Sequence, residues 1–314
     1  MTTPDEQHSY CEESSISLST TFLPRDSDPF PTDLTLVSTD GVFFSVHRYR
    51  LLKSLNAFGG LLLDETCMAV AGTLRLRHSV DEANFPAVPL SSDVLNLILH
   101  VCIYDLDPSS YVPSLPLISE TLRCIPLYGL NLEEPLTPGR PLHSIIVNKL
   151  AIVYPLETFA VLASQGLDSL AVEVSKYLTS TPLHQLTDEL CTLMGPVYLR
   201  RVVFLHVGRV ERLKELLRVV PATHDRTILC GATDQQSIQR AWLDIASRLT
   251  WEVSASTPIL RLQQAFQPLA DSTICPNCKD VSEHLTLLAL TAPLHMSRVG
   301  CVIDNLIDTL ECDG

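Results

Sequence analysis

The stretch from Asp33 to Leu62, DLTLVSTDGVFFSVHRYRLLKSLNAFGGLL, changes its apolar period halfway along, and that switch limits the possible folds more than any other feature. Leu34 and Leu36 alternate in the first run; Val42, Phe44 and Val46 alternate in the second. A period of two puts each set on one face of a strand. Between the runs, Asp40-Gly41 supplies the positive φ of a tight hairpin, so two antiparallel strands are expected. From Arg48 the spacing lengthens. Leu51, Leu55, Phe58 and Leu62 recur every three or four residues, as on one side of a helix, with Gly59-Gly60 as its weak point.

Further along, a helix is expected from Ser92 as N-cap through VLNLILHVCIYDL, and another through PSLPLISETLRCIPLYGL, closing at Gly129. NLEEPLTPGRPLH is Pro-rich and reads as a linker. Beyond it the pattern is helical throughout. TDQQSIQRAWLDIASRLTWEV opens with a Thr233–Gln236 capping box and lines up Ile238, Trp242, Ile245 and Leu249; Trp242 and Trp251 read as core residues. Residues 1–27 are polar and acidic and read as a disordered tail; 28–130 as an α+β domain; 131–222 and 223–314 as two helical regions. The final stretch spaces Val302, Leu306 and Leu310 as a short helix would.

A formal net charge of −14 argues against a chain built to neutralise phosphates. Arg200, Arg201, Arg209, Arg212, Lys214, Arg218 and Arg226 do cluster, but Glu211 and Glu215 interleave with them, so a solvated helix face is expected and nucleic acid is not. No apolar run reaches the ~20 residues of a membrane span. The amino terminus is acidic where a secretory signal would be basic and then apolar. An intracellular protein of cytoplasm or nucleus, with no membrane partner, is expected.

The ten cysteines of such a protein read as thiols or ligands rather than as a disulfide framework. CPNC, at Cys275 and Cys278, is the sharpest chemical signal. Two thiolates at this spacing chelate one zinc ion if two further ligands arrive, and HDRTILC offers His224 and Cys230. A hairpin of the helices starting near Gln235 and Ile259 would return Cys275 to that loop. His206 and His284 are substitute ligands within helical patterns. Two other readings stand beside structural Zn2+: unrelated buried thiols, and a redox dithiol.

His47 sits at the strand-to-helix junction. GxSxG, HExxH, GxGxxG and a phosphate loop are all missing, and a lone His at such a junction serves to bond backbone that the turn leaves unpaired. His47 is therefore read as structural and the chain as a non-enzyme. In order and spacing, Asp33, Leu36, Asp40, Gly41, Phe44, Val46, His47, Arg48, Leu51, Phe58, Leu95, Leu99 and Tyr104 resemble a BTB/POZ domain. FFSVHRYRLL, YGL, GPVYLRRVVFLHVGR and RAWLDIASRLTWE resemble, more narrowly, the BTB proteins abundant in mushroom-forming (basidiomycete) fungi, over roughly residues 30–285. Leu55 stands where that family usually has Ser.

The resemblance implies an α+β fold, a small sheet capped by helices, followed by an all-α region reminiscent of the helical BACK-like segment of such proteins. It implies a homodimer that recruits other proteins without catalysis, extending to a cullin-type ubiquitin ligase adaptor. Asp33, Leu34, Arg48, Leu51 and Leu52 would form the dimer interface, with Asp33 and Arg48 setting its register. His47, Phe58 and Tyr104 would be structural. A transcriptional regulator is the alternative, and a thiol oxidoreductase using CPNC a more distant one.

Overall fold

Asp40-Gly41 turns the chain between β2 (Leu34–Val37) and β3 (Val42–Val46), with Gly41 at φ +75°. The strands pair antiparallel with Leu34 opposite Val46 and Leu36 opposite Phe44. The alternation buries Leu36, Phe44 and Val46 on one face. These positions come from a computed structural model, which describes residues 17–24, 30–62, 85–108 and 112–278. His284 and the final apolar stretch lie outside the described residues.

Part of the expected disordered tail has structure. Ser17–Leu18 forms β1, parallel to β3, and the sheet order is β1-β3-β2. Phe22 explains it: the ring is buried against Phe44, His100 and Tyr104, and its carbonyl accepts from the Ser45 N–H at 2.9 Å. One aromatic anchor outweighs the polar composition around it.

The helix expected through Leu62 is one turn, α1 (Arg48–Leu51). Residues 57–60 all have positive φ, and side chains take the N–H groups a helix would have used: Asn56 Oδ1 accepts from Gly59 at 2.8 Å and Ser54 Oγ from Phe58. The apolar period therefore breaks after Leu51, leaving Leu55 93% exposed while Phe58 is buried against Tyr128. Helix α2 (Ser92–Ile98, continuing as a π-helical segment to Tyr104) is capped from outside. The Asp40 carboxylate accepts from the Ser92 N–H at 2.8 Å and from its hydroxyl at 2.5 Å, so the hairpin turn itself fixes the helix start. Burial works against ionisation of Asp40, but these bonds and one from Ser38 outweigh it and hold its carboxyl below the usual range. Helix α3 (Leu115–Cys124) packs on α2.

The chain divides into two units, Met1–Ile145 and Ile146–Gly314. The Pro-rich segment expected as a linker belongs to the first, where Leu136 and Leu142 are buried and Arg140 pairs with Asp105 and Glu134. After the short helices α4 (Pro141–Ser144) and α5 (Ala151–Val153), the second unit contains α6 (Pro155–Ser164), α7 (Asp168–Leu178) and α8 (Asp188–Arg218). Helix α6 packs against both α7 and α8. Helix α8 breaks at Gly195, φ 72° and ψ 170°, just before Pro196. By length and composition α8 is the one helix among the described residues that passes for a membrane span, yet it carries this break and Arg200-Arg201, and it turns Val202, Leu205, Leu213, Leu216 and Leu217 into the protein.

Helices α9 (Ala232–Glu252) and α10 (Ile259–Ser272) follow in the same unit. Trp242 stacks on Phe266 with ring centroids 4.3 Å apart, in a core shared with Leu213, Leu217, Leu249 and Leu262. Trp251, read as a core residue, is instead 92% exposed, because nine residues past Trp242 is half a turn out of register. The capping box also shifts: Asp234 Oδ2 accepts from the Gly231 N–H at 2.8 Å, and α9 starts before Thr233.

Candidate metal centre

Two short turns bring four ligand atoms together. In the first, Thr227 and Cys230 exchange backbone hydrogen bonds at 3.0 and 3.2 Å, a tight loop that presents the Cys230 thiol inward. His224 lies three residues earlier. In the second, residues 276–278 begin a helical turn just beyond α10, which points the Cys275 and Cys278 thiols the same way. The α9–α10 hairpin, closed by the Trp242–Phe266 core, returns this turn to the first. The four donors, His224, Cys230, Cys275 and Cys278, all lie within 4.8 Å of one another.

Their spacing is that of a single-ion shell. His224 Nε2 is 3.1 Å from Cys278 Sγ and 3.3 Å from Cys275 Sγ, and Cys230 Sγ is 3.7 Å from Cys278 Sγ. A tetrahedral ion with metal–sulfur bonds of ~2.3 Å and metal–nitrogen bonds of ~2.0 Å has edges of roughly 3.8 Å between sulfurs and roughly 3.5 Å from nitrogen to sulfur. The cluster can hold a metal ion.

Surrounding groups prepare the ligands. His224 Nδ1 is 2.7 Å from the Asp225 carbonyl, which can only accept, so the proton is on Nδ1 and the Nε2 lone pair faces the thiols. Gln235, buried in the first turn of α9, donates to the His224 carbonyl at 3.0 Å and holds that loop. The backbone N–H of Cys278, with that of Asn277, donates to Cys275 and holds its thiol below the usual range. Burial, with Cys230 and Cys275 close by, pushes Cys278 up to about 12. The Cys275 thiolate is thus stabilised by dipoles, while Cys278 needs a cation nearby to ionise.

The other expected site residues fall elsewhere. His206 is buried in α8 and takes no part in the cluster. His47 Nε2 donates to the Phe30 carbonyl at 2.7 Å, its Nδ1 accepts from the Tyr104 hydroxyl at 3.0 Å, and the His47 N–H bonds the same oxygen. Phe58 is fully buried. Asp33 and Arg48 do meet, but as a helix cap: Asp33 Oδ1 accepts from the Arg48 backbone N–H at 2.7 Å, while the Arg48 guanidinium reaches the Leu62 carbonyl. Leu51 is 0% exposed, withdrawn into the interior of the chain. Leu34 is half-buried; Leu52 and Leu55 are exposed. In the basic cluster, Arg201 pairs with Asp168, Arg212 with Glu215 and Lys214 with Glu211.

Gln235 and the Asp225 carbonyl are the functional groups that sequence reasoning missed. The Gln falls four residues after Gly231, inside a misplaced capping box, and backbone carbonyls carry no sequence signal. No protein-family model, curated protein or solved structure matches this chain.

Proposed function

We propose that this chain is a non-enzymatic interaction protein: a BTB/POZ-like first unit that self-associates, followed by a helical unit whose last turns are stapled by one structural zinc ion. The zinc reading rests on the closed donor set. Three sulfurs and one imidazole nitrogen fill a tetrahedral shell and leave no position for water or substrate, as in sites that stabilise rather than react. Self-association is supported by Tyr49, Leu52 and Leu55, large apolar side chains exposed on and just after α1. Recruitment of other proteins, including a cullin, is the extension that the family resemblance adds.

A dithiol oxidoreductase is the second reading, favoured by the split between a lowered Cys275 and a raised Cys278. Burial of Cys275 opposes it, since an attacking thiolate needs access. Elemental analysis of the purified full chain separates the two. One zinc per chain, lost in Cys275→Ser and Cys278→Ser, is expected; a metal-free protein that cycles a Cys275–Cys278 disulfide would reverse the assignment.

A further inference from the structure

We propose that the solvent-facing stripe of α8 is a docking site for the chain's own acidic carboxyl-terminal segment, residues 302–311. Helix α8 is apolar on two sides. One, carrying Val202, Leu205, Leu213, Leu216 and Leu217, is buried in the unit. The other carries Val197, Val203, Phe204 and Val207, each between 38% and 52% exposed. Val197, Arg200, Phe204 and Val207 recur at spacings of three and four, so they form one stripe of roughly 15 Å at 1.5 Å per residue. Bulky residues in a row on an exposed helix mark a surface that another element covers.

The charges select the occupant. Arg200 interrupts the apolar stripe, and Arg218 lies on the same side five turns along. Among the described residues neither has an acidic partner, whereas Arg201, Arg212 and Lys214 are each tied to one. A segment that fits is therefore apolar on one side and acidic beside it. A second copy of α8 fits poorly, because it would bring its own Arg200 to the stripe.

VIDNLIDTLE, residues 302–311, has the required pattern. Val302, Leu306 and Leu310 recur every four residues, Asp304 and Asp308 lie between them, Glu311 follows directly, and there is no Lys or Arg. At ~1.5 Å per residue in helical form it offers about 12 Å of apolar edge, close to the length of the stripe. The tether is adequate. From Cys278, the last described residue, the chain has enough residues before Val302 to span roughly 27 Å as a flexible coil and far more when extended. Attachment raises the local concentration to about the millimolar range, so anchoring by a few aliphatic side chains suffices.

Photo-cross-linking in the full chain tests this. With Phe204 replaced by p-benzoylphenylalanine, irradiation should yield adducts within one chain that map to residues 301–313. Leu306→Asp combined with Leu310→Asp should lower their yield roughly tenfold at unchanged helical content. Adducts joining two chains, adducts to another region, or no adduct at all would each overturn the proposal. The readout does not depend on metal content, so failure here leaves the zinc assignment standing.

Discussion

Gly129 shows how a single residue is fixed by its surroundings. It sits at φ +67°, its carbonyl accepts from the Leu55 N–H at 2.8 Å, and a Cβ there would lie 2.7 Å from the Asn56 backbone nitrogen. Gly129→Ala should therefore cost about 2–4 kcal/mol, from left-handed strain and the clash together, read as a lower urea midpoint at unchanged m-value. His206 gives a pH dependence of known sign. Burial holds it below its ordinary value of 6.5, so the native chain stays neutral where the unfolded chain takes up a proton. Its contribution to stability is full above about pH 6.5 and is lost as pH falls from there toward the depressed native value. The loss of stability between pH 8 and pH 5.5 should be smaller for His206→Gln than for the parent; an equal loss in both would contradict the assignment. Asp33 caps α1 through one charged hydrogen bond, and Asp33→Ala should cost about 1 kcal/mol.

Among the elements, the α9–α10 hairpin matters most because it carries the second pair of metal ligands back to the first. Its core is Trp242 on Phe266, and Trp242→Ala should remove about 3–5 kcal/mol. Among the described residues the indole Nε1 has no hydrogen-bond partner, so Trp242→Phe should cost much less than the full truncation. Thermal unfolding of the two variants checks the ordering, and zinc affinity should fall with stability in the same order if the hairpin positions the site. This hairpin was legible in the sequence because its apolar face, Ile238 to Leu249, recurs over about three turns and its CPNC and HDRTILC motifs bracket it. The span after Leu51 was not, because side chains of Ser54 and Asn56 compete for backbone N–H groups and tip residues 57–60 into positive φ, which apolar spacing cannot reveal. The caps were misplaced for a similar reason: Asp40 reaches α2 across 52 positions of chain, and a cap so remote leaves no local pattern at Ser92.

At the scale of the whole molecule, the hairpin, the switch of period at His47 and the helical character of the second half were all written in periodicity. Residues 17–22 and the ownership of the Pro-rich segment were not, since both depend on what a few apolar side chains meet in three dimensions. The proposed self-association belongs at this scale too. With Leu51 withdrawn into the interior, the surface left for a partner centres on Tyr49, Leu52 and Leu55. Light scattering of the full chain at micromolar concentration should give twice the chain mass, and Leu52→Asp with Leu55→Asp should halve it; a parent already at single-chain mass would end that part of the account. The zinc staple is the central claim, and X-ray absorption at the zinc edge of the purified full chain tests it most directly. Three sulfurs at ~2.3 Å and one nitrogen at ~2.0 Å are predicted, changing to two sulfurs in Cys230→Ser. A protein that binds no zinc, or binds it through oxygen ligands with Cys275 and Cys278 oxidised to each other, would contradict it.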